Sequence, residues 1–302
     1  MSSIDRIKRV YKRAKSPAIF TKMVAEEVLV RAWSNSTFRS TSSILVREYQ
    51  PGKWVFLVGC FNSGTTILQK ILGSHPEISG LPREGVRFTE LLSNLEENGH
   101  HMLWDENFHD YIEPEIADNL ALQKIKKDWS IFWKSDSSVF LDKSIANTAR
   151  IEWLNRVFPN AYFIGIYRNG YCVTEGLRRR AKPPEWYKQQ NNSETYSYQT
   201  IANQWLVANQ LIQDKFKSMP NSLSIRFEDL VANPFEAINS CLEFLELESN
   251  LLTQNGSMIK MGDKEFEIHD PNPASLERLG EKGKLESKLI LEPMMRQLGY
   301  EV

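Results

Sequence analysis

Apolar residues come in short blocks along this chain, and their period changes from one block to the next. Trp54-Val-Phe-Leu-Val-Gly59 is a continuous apolar run, branched and aromatic, as a strand buried on both faces requires. It stops at Gly59. After a short polar loop, Ile67, Leu68, Ile71 and Leu72 recur at helical spacing, so 65–72 reads as a helix. Ser138–Leu141 reads as a second strand, leading through Asp142-Lys-Ser144 into a helix near 146–157 with Ile151, Leu154 and Val157 on one face. Tyr162–Tyr167 is a third strand, followed by a helix near 171–181 and a long one near 197–217 that carries Ile201, Trp205, Ala208 and Ile212. Ser222–Arg226 is a fourth strand and Phe235–Leu247 another helix. Strands alternating with helices predict an α/β fold: a mostly parallel sheet, right-handed crossovers, helices on both faces.

Two stretches fall outside this alternation. Residues 91–135 are polar with scattered Trp and Phe, and read as a helical insertion over the sheet. Residues 1–22 carry seven Lys and Arg against Asp5, with Ile4, Ile7, Val10, Tyr11 and Ala14 at helical spacing. Such a basic amphipathic helix suits either an anionic membrane surface or a packing partner. Pro17 separates it from a second helix near 18–33, with a stripe at Phe20, Met23, Val24 and Val28. The expected organisation is a basic helical segment over 1–50 and an α/β domain over 51–302.

Composition narrows the classes. The 302 residues suffice for one large domain with a full core. A formal net charge of -1 gives no reason to expect a nucleic-acid partner. No apolar run approaches a membrane span, and the N-terminus lacks the apolar core of a secretory signal, so the expected location is cytoplasmic with peripheral membrane contact through 1–22. Cys60, Cys172 and Cys241 are too sparse for a disulfide framework and read as small buried hydrophobes. His100, His101 and His109, with Asp105, Glu106 and Asp110, lack metal-ligand spacing, and no metal is expected.

The informative chemistry lies at Gly59-Cys-Phe-Asn-Ser-Gly-Thr-Thr66. Its glycine spacing and final hydroxyl match the phosphate loop G-x-x-x-x-G-K-[ST], but Thr65 replaces the lysine. Glycines let successive N–H groups converge on an anion, and the following helix adds the positive end of its dipole. Ser63, Thr65 and Thr66 add hydroxyl donors. The missing lysine, and the lack of an evident acidic strand end for a metal, argue against a kinase, which stays open as an alternative. So does a non-catalytic nucleotide-binding relative.

Ser63-Gly-Thr-Thr66 after a strand, Ile71-Leu-Gly-Ser-His-Pro-Glu77, Lys143-Ser, Val157-Phe-Pro-Asn-Ala161, Phe163-Ile-Gly-Ile-Tyr-Arg168-Asn, Arg226-Phe-Glu-Asp-Leu230 and Leu298-Gly-Tyr300 follow one another in the order of a known family. Over about 54–300 the chain resembles the sulfotransferases that use 3′-phosphoadenosine-5′-phosphosulfate, including their bacterial and tyrosylprotein-type members. The resemblance implies that Asn62, Ser63, Gly64, Thr65 and Thr66 hold the 5′-phosphosulfate. It implies that Arg168 grips the 3′-phosphate as a bidentate guanidinium. The acceptor is then a hydroxyl of a carbohydrate, alcohol or phenol, and Glu84 is its general base. Two positions depart from the family. Gly176 stands where a phosphate-binding serine is usual, with Thr174 as a substitute hydroxyl. Asn62 stands where a lysine or arginine is usual, which leaves Lys143 to supply catalytic charge. Ser275 and Arg278 are further candidate nucleotide ligands, and Arg178, Arg179 and Arg180 offer additional charge.

Overall fold

The computed structural model describes residues 17–42, 45–46, 48–93, 102–103, 113–134 and 136–302. The first basic helix, over 1–16, and the histidine-rich stretch with His100, His101 and His109 lie outside the described residues, as do Asp105, Glu106 and Asp110.

Five parallel strands form the main sheet in the order β2-β3-β1-β4-β5. They are β1 (Lys53–Gly59), β2 (Ile78–Gly80), β3 (Val139–Asp142), β4 (Ala161–Tyr167) and β5 (Ser222–Arg226). β6 (Leu252–Asn255), β7 (Met258–Met261) and β8 (Lys264–Glu267) make a separate antiparallel sheet. The helices in chain order are α1 (Pro17–Trp33), α2 (Ser36–Ser42), α3 (Thr65–Leu72), α4 (Asp118–Trp129), α5 (Ile151–Val157), α6 (Gly170–Arg180), α7 (Glu185–Asn191), α8 (Tyr198–Phe216), α9 (Phe227–Ala232), α10 (Pro234–Phe244) and α11 (Asn272–Gln297).

The two-residue period of the strands divides the core. Trp54, Phe56 and Val58 of β1 face one cluster, with Phe140, Phe163 and the inner sides of α4, α5, α6, α8 and α11. Val55 and Leu57 face the other, with Leu141, Ile164 and Ile166 against α3, α9, α10 and the small sheet. The first face is aromatic: Phe140 stacks on Trp129 at 5.8 Å and on Trp133 at 5.1 Å.

The four strands read from the sequence are present within a residue or two, and so are helices α3, α6 and α8, while α10 ends three residues before the expected Leu247. The helix expected near 146–157 divides into a 3₁₀ turn, Ile145–Thr148, and α5. Of the stripe expected in α1, Val28 is 60% exposed and Val24 half-buried, while Val30 and Trp33 enter the core. Trp33 decides this, because its indole N–H donates to the Asp128 carbonyl at 2.6 Å. β2, the small sheet and α11 had no clear signal. β2 is three residues long, and β6–β8 are mostly polar on their outer face.

The chain steps from β1 out to β2, back through β3, then across β1 to β4. This reversal places the ends of β1, β3 and β4 around one crevice, where open α/β sheets bind their ligands.

Candidate active site

Each strand around the crevice delivers one part. β1 ends in the glycine loop. Thr148 pins that end, its Oγ1 accepting from the Gly59 N–H at 3.0 Å and donating to the Gly59 carbonyl at 3.2 Å. The loop turns through two left-handed residues, Asn62 (φ 65°) and Gly64 (φ 100°). At Gly64 a side chain would also collide with the Phe227 ring, so only glycine serves. α3 starts directly after it without a side-chain cap, so its first N–H groups face the crevice. Ser63 is fully buried, and its Oγ has no partner.

β4 delivers Arg168, only 4% exposed. Its Nε donates to Asn272 Oδ1 at 2.8 Å, its Nη1 to the Asn62 carbonyl at 2.9 Å, and the guanidinium lies 4.8 Å from the Phe227 ring centroid. Among the described residues Nη2 is buried without a partner, and Arg168 makes no ion pair. Burial pulls the Arg168 pKa below the usual arginine range, with Glu228 and Asp270 opposing that from a distance. A buried, aligned cation with a spare donor is suited to an anion.

Asn272 is held in turn, its Nδ2 donating to Glu228 Oε1 at 2.8 Å. Glu228 Oε1 also takes the Asn169 N–H at 3.0 Å, and its Oε2 accepts from the Tyr300 hydroxyl at 2.8 Å. One hydrogen-bonded chain thus joins the Arg168-Asn, Phe-Glu-Asp-Leu and Leu-Gly-Tyr segments, which are far apart in sequence.

β3 delivers Lys143, whose Nζ donates to Glu84 Oε1 at 2.8 Å. Asp142 is the hinge of this pair. Its Oδ1 accepts from the N–H of Gly85, directly after Glu84, at 2.8 Å, and its Oδ2 accepts from Asn147 Nδ2 at 2.7 Å. Ser144 Oγ lies 3.0 and 2.9 Å from the two oxygens. Burial pushes the Asp142 carboxyl up to about 6 despite these donors. An acidic strand end does exist here, contrary to the sequence expectation. Its oxygens are occupied by protein donors, which is not how a carboxylate is presented to a magnesium-bound phosphate.

Asn62, Gly64, Thr65, Thr66, Glu84, Lys143 and Arg168 all line one cleft of about 380 Å³. Arg180 lines it too, its Nη1 donating to Asn62 Oδ1 at 2.9 Å. A second cleft of about 590 Å³ shares Thr66, Glu84 and Lys143 with the first. Three cations stand against one carboxylate in the smaller cleft, a lining chemically suited to an anion, and Thr66, Glu84 and Lys143 join it to the larger one.

A family model described as "Sulfotransferase family" matches residues 55–250, well over half of the chain. The chain belongs to the sulfotransferase family. It is similar to Protein-tyrosine sulfotransferase A of Caenorhabditis elegans, 21% identical over 264 residues, which is 82% of this chain and 67% of that protein. Among solved structures it is similar to the sulfotransferase domain from the curacin biosynthetic pathway: 19% identity, 84% of this chain and 99% of that one, TM-score 0.49. A mouse sulfotransferase, SULT7A1, complexed with PAP, shares 13% identity over 70% of this chain and 64% of its own, TM-score 0.37.

In this sulfotransferase the remaining expected ligands sit outside the cleft lining. Thr174 is fully buried with Oγ1 unpartnered. Ser275 is buried and accepts from Arg278 Nη2 at 3.3 Å. Arg278 is committed to Glu175 by two hydrogen bonds, at 2.8 and 3.1 Å. Burial works against the charge of Glu175, but hydrogen bonds from Arg278 and Arg179 outweigh it and hold its pKa below the usual range. Of the arginine run, Arg178 binds the Tyr196 carbonyl and Thr195, Arg179 binds Glu175, and Arg180 reaches the loop. Gly176 lies under Asn62: a Cβ there would collide with Asn62 Nδ2.

Sequence reasoning missed Asp142, Asn272, Glu228 and Tyr300 as members of the site. Glu228 and Tyr300 stood in segments marked by the resemblance, and Asp142 stood beside Lys143. Asn272 had no signal, because its place beside Arg168 depends on how α11 packs.

Proposed function

We propose that this sulfotransferase moves a sulfuryl group from 3′-phosphoadenosine-5′-phosphosulfate to the hydroxyl of an acceptor. The observation that carries the reading is the unneutralised Arg168 guanidinium beside the glycine loop, in one cleft with the Glu84–Lys143 pair. The unpartnered Ser63 Oγ and Arg168 Nη2 fit phosphate oxygens, and the uncapped start of α3 fits the 5′ group. When bound, the nucleotide supplies the activated sulfuryl group. Arg168 and the Asn62–Thr66 loop fix its two phosphate ends. Lys143 stabilises the negative charge that develops on the leaving side. Glu84, one hydrogen bond away at the mouth of the second cleft, takes the acceptor's proton. Positioning and electrostatics carry the rate, as in other in-line transfers.

Thermal denaturation tests the nucleotide. PAP is expected to raise the melting temperature well above the effect of ATP with magnesium, and equal stabilisation by both supports a kinase instead. Transfer of labelled sulfate from the donor to a panel of hydroxyl acceptors tests the chemistry. Tight PAP binding with no transfer to any acceptor supports the non-catalytic reading.

A further inference from the structure

The larger cleft is shaped by two surfaces that sort their side chains. On α3 and its C-cap, Thr66, Gln69, Lys70 and Gly73 follow the i, i+3, i+4, i+7 pattern of one helix face, and all four line the cleft. On β8, Lys264 and Phe266 line it, while the alternating Glu265 and Glu267 are exposed elsewhere. β8 pairs Phe266 with Ile259 and Lys264 with Met261, so the apolar residues of that face anchor the hairpin and Lys264 is carried to the rim.

The charge balance of the lining is one-sided. Lys70, Arg83, Arg87, Lys143 and Lys264 stand against the single carboxylate Glu84. Glu84 is engaged by Lys143, and Arg83 by Glu27 at 2.8 Å. Lys70 and Lys264 are exposed and, among the described residues, make no ion pair. Leu81, Pro82 and Phe266 add apolar wall to the same cleft.

We infer that the acceptor is a small molecule bearing an anionic group remote from its reacting hydroxyl, and that Lys70 and Lys264 bind that group. The cleft volume of about 590 Å³ is that of a small-molecule site. Along α3, Lys70 stands one helical turn, a rise of ~6 Å, beyond Thr66. An apolar or aromatic body spans the distance against Leu81 and Phe266, the hydroxyl meets Glu84, and the acid end meets the lysines. Opposite charge also raises the rate of encounter. The assignment of the hydroxyl end rests on the proposed sulfuryl transfer; the anionic end rests on the lysines alone.

Titration calorimetry on the full chain, with and without saturating PAP, decides the matter with matched probes. These are phloretic acid, its amide and tyramine, plus hydroxyhexanoate and its amide. The acids are expected to bind roughly tenfold more tightly than their amides, with tyramine weakest, and the preference should shrink as salt rises from about 0.02 to 0.5 M. Lys70→Gln and Lys264→Gln should each reduce the acid-to-amide ratio while leaving PAP affinity unchanged. Equal binding of acids and amides overturns the inference, as does undetectable binding of both acids, or a ratio that neither lysine variant moves. A failure of PAP to bind overturns the nucleotide reading instead, and the probe comparison on the nucleotide-free protein still decides this one.

Discussion

The amide of Asn62 occupies the space that any side chain at Gly176 would need. The two residues are 114 positions apart in the sequence, and both stand where the resemblance led one to expect a different residue. In the fold they are a single feature: the missing Cβ on α6 admits the loop residue, and Arg180 holds it there at 2.9 Å.

That contact predicts strong coupling. Gly176→Ser should destabilise the protein by about 1–3 kcal/mol, because Asn62 must leave its seat. Asn62→Ala should remove most of that penalty, so the double variant is more stable than the sum of the singles by ~0.5–3 kcal/mol. Denaturant unfolding of the four proteins measures it, and additive effects would show that the residues do not share the space.

Arg168 makes three different uses of one planar group, which lysine cannot reproduce. Arg168→Lys should weaken PAP binding on the order of tenfold to a hundredfold, the range of one or two lost charged hydrogen bonds. Asn272→Ala should weaken it less, since the charge remains and only its orientation loosens. Isothermal titration with PAP gives both numbers.

Glu84 touches Lys143 and, in the proposed reaction, serves the acceptor rather than the nucleotide phosphates. Glu84→Gln should leave PAP affinity within about twofold, while turnover falls roughly a hundred- to ten-thousandfold, as loss of a general base does. Turnover at saturating donor, beside PAP binding, separates the two; unchanged turnover would move the base elsewhere.

Asp142 titrates late because it is buried: its carboxyl is pushed up to about 6 from 3.8. The folded protein therefore keeps a proton that the unfolded chain has already lost between these values. The contribution of Asp142 to stability falls as pH rises from about 4 to about 6, and is level above that. Asp142→Asn removes this dependence. Asn147 can turn its amide to accept from the new donor, since its Oδ1 is buried without a partner. The stability difference between Asp142→Asn and the parent, measured by urea unfolding across that range, should grow in favour of the variant with rising pH. A difference independent of pH would mean that Asp142 is ionised throughout.

The sequence by itself determined the α/β alternation, the glycine loop and most of the polar residues that line the smaller cleft. Those signals are local: a buried strand is a continuous apolar run, an amphipathic helix repeats every three to four residues, and a phosphate loop needs glycines at fixed spacing. Lys143 and Arg168 were legible because they stand at the ends of strands readable in the sequence, Glu84 was found through the resemblance, and the resemblance assigned all three roles. Only the tertiary structure decided which partners hold them. The chain from Arg168 through Asn272 and Glu228 to Tyr300, the Asp142 contact that holds Glu84 beside Lys143, and the seat of Asn62 on Gly176 are contacts across 44 to 114 positions of sequence that no local period encodes. They exist because the crossover at β1 brings three strand ends together. Burial then leaves each polar group only the partners that packing provides.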